Sequence, residues 1–326
     1  MNSDVISIAI VQYPNSLRSA VYGLEELFAM ANHASKKQGI DAAFKAEIIA
    51  FDTESSSEKA KLDNSLPDER DAGYAVVILP PSQLGDDYLT PPQALIEWLG
   101  KQHQQGSILA SACAGAFILA RTGLLTGKPV TTHWGLAQAL HQQFPELQMA
   151  TDKILVNQGD VITAGGMMSW LDLGLEVVSQ LGSPALMRLV GKMLVVDTGA
   201  REQRYYQQFA PSYQHGDTTI VALQHELNKR YSQTQSIAGL ARRANLTERT
   251  LLRRFVKATG FKPTEYLQRL RVQKACELLE TTTEPFESIA RQIGYEDVGA
   301  CRKVFIKVMG LSPGEFRKRF VANRTA

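Results

Sequence analysis

Cys113 stands where a short apolar run meets a series of small residues, in the stretch ILASACAGAFILARTGLL. A cysteine at a strand-to-helix turn can act as a nucleophile when its pKa is lowered and a base lies within reach. The backbone N–H groups of Ala114 and Gly115 would then face an anion or an oxyanion. His133, in the stretch TTHW, is the candidate base, and its neighbour Trp134 is either a pocket wall or a core residue. These five residues form the predicted ligand pocket.

The elements around Cys113 alternate between strand-like and helix-like runs over the first 205 residues. VISIAIVQY, AEIIAF, YAVVILP and SILASAC are apolar and rich in β-branched residues, which is typical of buried strands. ILVNQGDVITAGG predicts a hairpin or a pair of short strands. The intervening segments show helical spacing, so the pattern predicts a doubly wound parallel sheet with helices on both faces. In such folds the ligand site lies beyond the carboxyl ends of the strands, where Cys113 falls.

The remainder of the chain has a different organisation. Residues 206–217, YQQFAPSYQHGD, lose the periodicity and predict a linker. Residues 218–326 contain only helical patterns and an internal repeat, in which RRFVKATGFKPTEY from Arg253 matches KVFIKVMGLSPGEF from Lys303. Each copy predicts two helices, a short turn between them, and a glycine stop before a proline. This pattern is a helix-turn-helix that occurs twice in an all-α domain.

Charge separates the same two regions. Residues 218–326 hold 20 Lys and Arg against 10 Asp and Glu, a net charge of +10, whereas residues 1–217 hold 15 against 23, a net charge of −8. A basic region beside an acidic one indicates a polyanionic partner, with double-stranded DNA as the first candidate. The alternative is an ordinary solvated basic surface.

The second helix of each unit has an apolar face and a face of long or small side chains. In TERTLLRRF the buried positions are Leu251 and Phe255, and in DVGACRKVF they are Cys301 and Phe305. Arginine reads guanine and an apolar side chain reads the thymine methyl, although each cation can instead contact a phosphate. The predicted DNA-facing residues are Arg249, Leu252, Arg253, Gly299, Ala300, Arg302 and Lys303. The small residues of the second set favour phosphate positioning over base readout.

These motifs resemble two known families. Residues 218–326 resemble the AraC/XylS family of transcription regulators through SIAGLARRANLTERTLLRRFVKATGFKPTEYLQRLRVQKACELL and SIARQIGYEDVGACRKVFIKVMGLSPGEFRKRF. Residues 5–196 resemble the PfpI-type branch of the class I glutamine-amidotransferase-like superfamily, through GLEELFAMAN, ILASACAGAFILARTGLLTGKPVTTHW and GDVITAGGMMSWLDLGLEVV. This superfamily has a flavodoxin-like sheet with a cysteine on a strained elbow, the place that Cys113 takes here. Its enzymes often carry histidine directly after that cysteine, where this chain has Ala114, and a glutamate near 19–20, where it has none.

Together the patterns predict a PfpI-like sensor domain at 1–205, a linker at 206–217 and a tandem helix-turn-helix domain at 218–326. The resemblance implies a DNA-binding transcription regulator, an activator, that answers a small-molecule effector without catalysis and works with RNA polymerase as a homodimer. The alternatives are a cysteine-dependent hydrolase or a redox sensor fused to a DNA-binding domain. Three distant cysteines and no long apolar run predict a cytoplasmic protein that needs no metal, cofactor or membrane.

Overall fold

The computed structural model describes residues 5–51, 73–82, 85–199 and 201–321. The chain divides into two compact units, Met1–Gln203 and Arg204–Ala326. Within the described ranges, no helix combines the length and the apolar character that crossing a membrane requires.

A six-stranded sheet forms the centre of the first unit, in the order β2-β1-β3-β4-β8-β7. Neighbouring strands are parallel except for β7, which pairs antiparallel with β8 as the predicted hairpin. The strands are β1 Val5–Gln12, β2 Ala43–Ala50, β3 Val76–Leu79, β4 Ile108–Ala112, β7 Leu155–Asn157 and β8 Val161–Ala164. Two further strands, β5 Pro129–Val130 and β6 Gln148–Met149, form a separate parallel pair.

Both faces of the sheet carry helices because alternate residues of each strand point to opposite sides. On β1, Ile8 and Ile10 belong to one apolar core, and Ala9 and Val11 belong to the other. The helices of this unit are α1 Arg18–Gln38, α2 Gln93–Gln104, α3 Gly115–Ala120, α4 Ala137–Gln143, α5 Trp170–Leu181 and α6 Pro184–Leu194. The first core contains residues of α1, α5 and α6, and the second contains residues of α2, α3 and α4. The predicted doubly wound fold is confirmed.

The strand β5 is short and ends at Val130, before His133 and Trp134. The next residues leave strand geometry because their polar groups bond elsewhere: the N–H and the hydroxyl of Thr131 donate to Thr163 Oγ1 and to the carbonyl of Lys153. The loop that results carries His133.

The second unit consists of helices, as predicted: α7 Thr218–Lys229, α8 Ile237–Arg243, α9 Glu248–Thr259, α10 Pro263–Thr281, α11 Phe286–Gln292, α12 Val298–Met309 and α13 Pro313–Phe320. Helices α8 and α9 form one helix-turn-helix, α11 and α12 form the other, and α10 connects them. The repeat is visible in the ends of the helices. Thr247 and Asp297 cap α9 and α12 with their side chains, and Gly260 and Gly310 end those helices in left-handed conformations.

The predicted linker lies within the second unit and contacts it at several points. The ring of Phe209 packs edge-on against Tyr266, with centroids 5.1 Å apart. The carbonyl of Ser212 accepts a 3.1 Å hydrogen bond from the buried side chain of Gln224. Asp217 caps α7 through the N–H of Ile220. These contacts hold the segment against α7 and α10, while its role as a linker stays a prediction.

Candidate functional site: an elbow cavity and two basic recognition helices

Cys113 follows β4 directly and has a left-handed backbone, with φ +54°. Such a conformation costs a residue other than glycine about 1–3 kcal/mol and persists only when its surroundings enforce it. Two hydrogen bonds enforce it here. The N–H of Cys113 donates to the carbonyl of Ala164 at 2.8 Å, and the hydroxyl of Thr132 donates to the carbonyl of Cys113 at 2.7 Å. The side chain of Cys113 is thereby fixed at the carboxyl edge of the sheet.

Gly115 is required by close packing. A Cβ atom at this position would lie 2.6 Å from the carbonyl oxygen of Leu79 and 3.0 Å from that of Pro80. The start of α3 therefore rests on the carbonyl end of β3, a contact that only glycine permits. This close packing is sufficient to explain why position 115 is glycine, without any contact to a ligand.

A cavity of about 280 Å³ opens beside the elbow. It is lined by Ser82, Gly85, Tyr88, Cys113, Ala114, His133, Leu136 and Met167. Three of the five residues predicted for the pocket, Cys113, Ala114 and His133, thus lie around one space. Gly115 and Trp134 are not in its lining, and the Trp134 ring instead packs on His133 with centroids 5.1 Å apart.

The two groups proposed for chemistry are both electrically neutral at pH 7. Burial raises the pKa of the Cys113 thiol to about 11, although the N–H of Ala114 opposes this shift. Burial also lowers the pKa of His133. His133 Nδ1 accepts the N–H of Gly135 at 3.0 Å, so the neutral ring carries its proton on Nε2. No hydrogen bond joins Cys113 to His133 in the described chain, and the cavity offers a ligand neutral hydrogen-bonding groups.

Two tyrosines near the elbow escaped the sequence analysis. Tyr13 is buried and donates from its hydroxyl to the carbonyl of Pro80 at 2.6 Å. Burial raises its pKa, and the neighbouring Cys113 raises it further. Tyr88 lines the cavity, and burial raises its pKa as well. Electrostatic interactions with Asp86 and Cys113 raise the pKa of Tyr88 further. The place of Tyr13 just after β1 was a usable signal, because ligand sites lie at that edge of the sheet. Tyr88 lies in a short 3-10 helix, Asp87–Leu89, and its sequence offered no such signal.

Gln203 is a third residue that sequence reasoning missed. Its buried amide nitrogen donates to Thr131 Oγ1 and to the carbonyls of Thr132 and Lys153, at 2.9, 2.8 and 3.1 Å. Its amide oxygen accepts the N–H of Trp134 at 3.1 Å. One side chain at the end of the first unit thus binds the loop that carries His133. Nothing in the local sequence signals these bonds, because the partners lie 50 or more positions away.

In the second unit, the inward positions of both recognition helices are confirmed. Leu251, Phe255, Cys301 and Phe305 are buried. The seven residues predicted to face DNA are all exposed: Arg249, Leu252, Arg253, Gly299, Ala300, Arg302 and Lys303. These faces present cations to the solvent, as nucleic-acid recognition requires.

The four cations among these seven residues differ in their intramolecular partners. Arg249, Arg253 and Lys303 make no ion pair or hydrogen bond with any described part of the chain. Arg302 instead pairs with Glu287 at 3.3 Å and lies 5.3 Å from the centroid of the Phe286 ring. Contact with DNA would have to compete with this intramolecular arrangement at Arg302.

Comparisons with known proteins find separate matches for the two regions of the chain. A DJ-1/PfpI family model matches residues 33–180, and a helix-turn-helix domain model matches residues 240–319. The HTH-type transcriptional regulator CdhR of Pseudomonas aeruginosa is 26% identical over 69% of this chain and 67% of its own length. GbdR, an HTH-type transcriptional regulator of the same species, is 24% identical over 68% of this chain and 61% of its own. The crystal structure of Drosophila melanogaster DJ-1beta is similar with a TM-score of 0.45 and 18% identity, covering 59% of this chain and 98% of that one.

Along this chain the match to a DJ-1/PfpI family model precedes the match to an AraC-type helix-turn-helix domain model. The resemblances seen in the sequence are confirmed. The chain spans about two thirds of the length of the regulators it matches.

Proposed function

We propose that this protein is a sequence-specific DNA-binding transcription regulator. The observation that carries the proposal is the pair of recognition helices, α9 and α12. They expose Arg249, Arg253 and Lys303, and Arg253 and Lys303 occupy equivalent positions of the internal repeat. The net charge of +10 over residues 218–326 supports it, because cations that neutralise phosphates supply much of the affinity for DNA. Named regulators among the relatives support it as well.

Binding of the full chain to randomised duplexes tests this proposal. Two recognition helices on one face of a duplex would read half-sites about 10 base pairs apart. The affinity should fall steeply as salt concentration rises. A protein that selects no preferred duplex, or whose weak binding ignores salt, is not a DNA-binding regulator of this kind.

The cavity at the elbow is the proposed effector site, with Cys113, Ala114 and His133 as its polar contacts. Its neutral thiol and neutral imidazole favour occupancy by a small molecule over covalent chemistry. A hydrolase or a peroxide sensor would need a thiolate at Cys113, and a pKa of about 11 leaves very little of it at neutral pH. We therefore propose a non-catalytic sensor.

Thermal-shift screening of the full chain against small metabolites identifies the effector, because a ligand that binds only the folded state raises its melting temperature. Cys113→Ser should leave DNA binding intact and change the effector response only by changing occupancy of the cavity. His133→Ala should weaken that response more, because it removes a hydrogen bond. Consumption of the effector by wild-type protein, or a covalent adduct on Cys113, would restore the enzyme hypothesis.

The remaining assignments concern assembly. We propose a cytoplasmic homodimer that activates transcription with RNA polymerase. A relative named as the HTH-type transcriptional activator RhaR, 30% identical over 40% of this chain, supports activation. Two-fold pairing is the commonest form of oligomer. Sedimentation of the full chain with and without operator DNA tests dimerisation, and a purified transcription system tests activation.

A further inference from the structure

Val256 and Ile306 occupy the same place in the two helix-turn-helix units. Each lies three residues after the outward cation of its recognition helix, Arg253 or Lys303. Both are apolar yet exposed, with 41% and 42% of their surface accessible. Neither belongs to the apolar core beneath its helix. Their shared position is thus not explained by packing within the protein.

The surrounding residues place both side chains on the faces proposed for DNA. Positions three and four residues apart share one side of a helix, so Val256 lies beside Leu252 and Arg253. Ile306 lies beside Lys303 in the same way. β-Branched residues lose rotamer freedom in a helix, so an exposed one is retained against a small cost. The cost occurs twice, at matching positions, and a matching contact would explain both.

We propose that Val256 and Ile306 each contact the C5-methyl group of a thymine in the major groove. This inference rests on the proposed DNA binding. The thymine methyl is the one apolar group among the base-edge features of the major groove. A duplex presents the groove again after each helical turn, so one kind of contact can serve both units. The unpaired cations beside both residues favour a polyanionic partner over an apolar protein surface.

The helix geometry fixes where the thymines should lie. Three residues of α-helix rise about 4.5 Å, and successive bases of one strand are about 3.4 Å apart. Each thymine is therefore expected one or two steps from the base pair that faces Arg253 or Lys303. The operator should contain it at equivalent positions of its two half-sites.

Replacement of thymine by deoxyuridine tests the proposal, because it removes only the methyl group. The full chain first selects its preferred duplex from a randomised pool, and each thymine of that duplex is then replaced in turn. One replacement in each half-site should weaken binding by about fourfold, the effect expected for one buried methyl group. Val256→Ala should remove the sensitivity in one half-site only, and Ile306→Ala should remove it in the other.

Lys257→Ala is the matched control, because it changes the exposed cation next to Val256 in the sequence. It should weaken binding to the thymine duplex and to the deoxyuridine duplex alike. Thermal melts of the variants confirm folding. The proposal is overturned if the selected site lacks thymines at these positions, or if methyl sensitivity is absent or survives both alanine variants. Loss of transcription with unchanged binding and methyl sensitivity would instead make the pair a protein-contact surface. Failure to select any duplex would refute DNA binding itself.

Discussion

The side-chain amide of Gln203 donates a 2.8 Å hydrogen bond to the carbonyl of Thr132, whose own hydroxyl donates to the carbonyl of Cys113. Two bonds therefore connect the last residue of the first unit to the strained elbow of the proposed sensor cavity. Any ligand that moves the loop at Thr132 must also act on Gln203. Under the proposed function, these two bonds would connect the cavity to the end of the first unit.

Gln203→Ala should destabilise the first unit by at least about 1–3 kcal/mol, because buried groups such as the Thr132 carbonyl and the Trp134 N–H lose their partner. Denaturant unfolding of the full chain measures the loss, and amide hydrogen exchange in the His133 loop localises it. Gln93→Ala, at an exposed position on α2, should change stability by no more than about 0.5 kcal/mol. Equal effects of the two substitutions would show that the buried bonds of Gln203 contribute nothing.

Gly115→Ala should cost about 1–3 kcal/mol, because the new methyl group would lie 2.6 Å from the carbonyl oxygen of Leu79 and force the elbow to move. Gly100→Ala is the control within the same unit. Gly100 lies inside α2 with open space where its Cβ would be, so alanine should stabilise by about 0.5–1 kcal/mol. Thermal unfolding distinguishes the opposite signs, and a stabilising Gly115→Ala would contradict the packing described for α3.

Alkylation of Cys113 should accelerate about tenfold for each pH unit between pH 7 and pH 10. The thiolate is the reactive form, and burial raises the pKa of this thiol to about 11, so its thiolate fraction is still rising throughout that range. Mass spectrometry of the peptide that contains Cys113 measures the rate separately from Cys276 and Cys301. His133→Ala should leave the slope unchanged, since no hydrogen bond joins the two side chains in the described structure. A plateau near neutral pH would reveal an activated nucleophile.

Arg253→Ala should relax base preference more than Lys303→Ala does. Helix α9 exposes Arg249 and Arg253 without an ion pair in the described chain, whereas Arg302 of α12 pairs with Glu287. Loss of a bidentate guanine contact costs about 1–3 kcal/mol at one base position. Loss of a phosphate contact weakens all sequences alike. Site selection with both variants measures the difference. Relaxed preference in Lys303→Ala alone would reverse the roles assigned to α9 and α12.

Several features could be predicted from the sequence because they depend on neighbours along the chain. The apolar runs of β1, β3 and β4, the hairpin of β7 and β8, and the tandem helices all follow from periodicity and turn residues. The same spacing predicted that Leu251 and Phe255 point inward and Arg253 outward. The elbow at Cys113 and the nearby place of His133 followed from the motifs and their resemblance.

The tertiary structure alone decided what these groups can do. The left-handed backbone of Cys113 depends on Thr132, which is 19 positions away, and the loop of His133 depends on Gln203, which is 71 positions from Thr132. The raised pKa of the thiol and the lowered pKa of the imidazole come from burial, which exists only after the elements pack. Local periodicity carries no information about such distant partners. The sequence thus predicted a cysteine and a histidine at one site, and packing shifted the pKa of each further toward the neutral form.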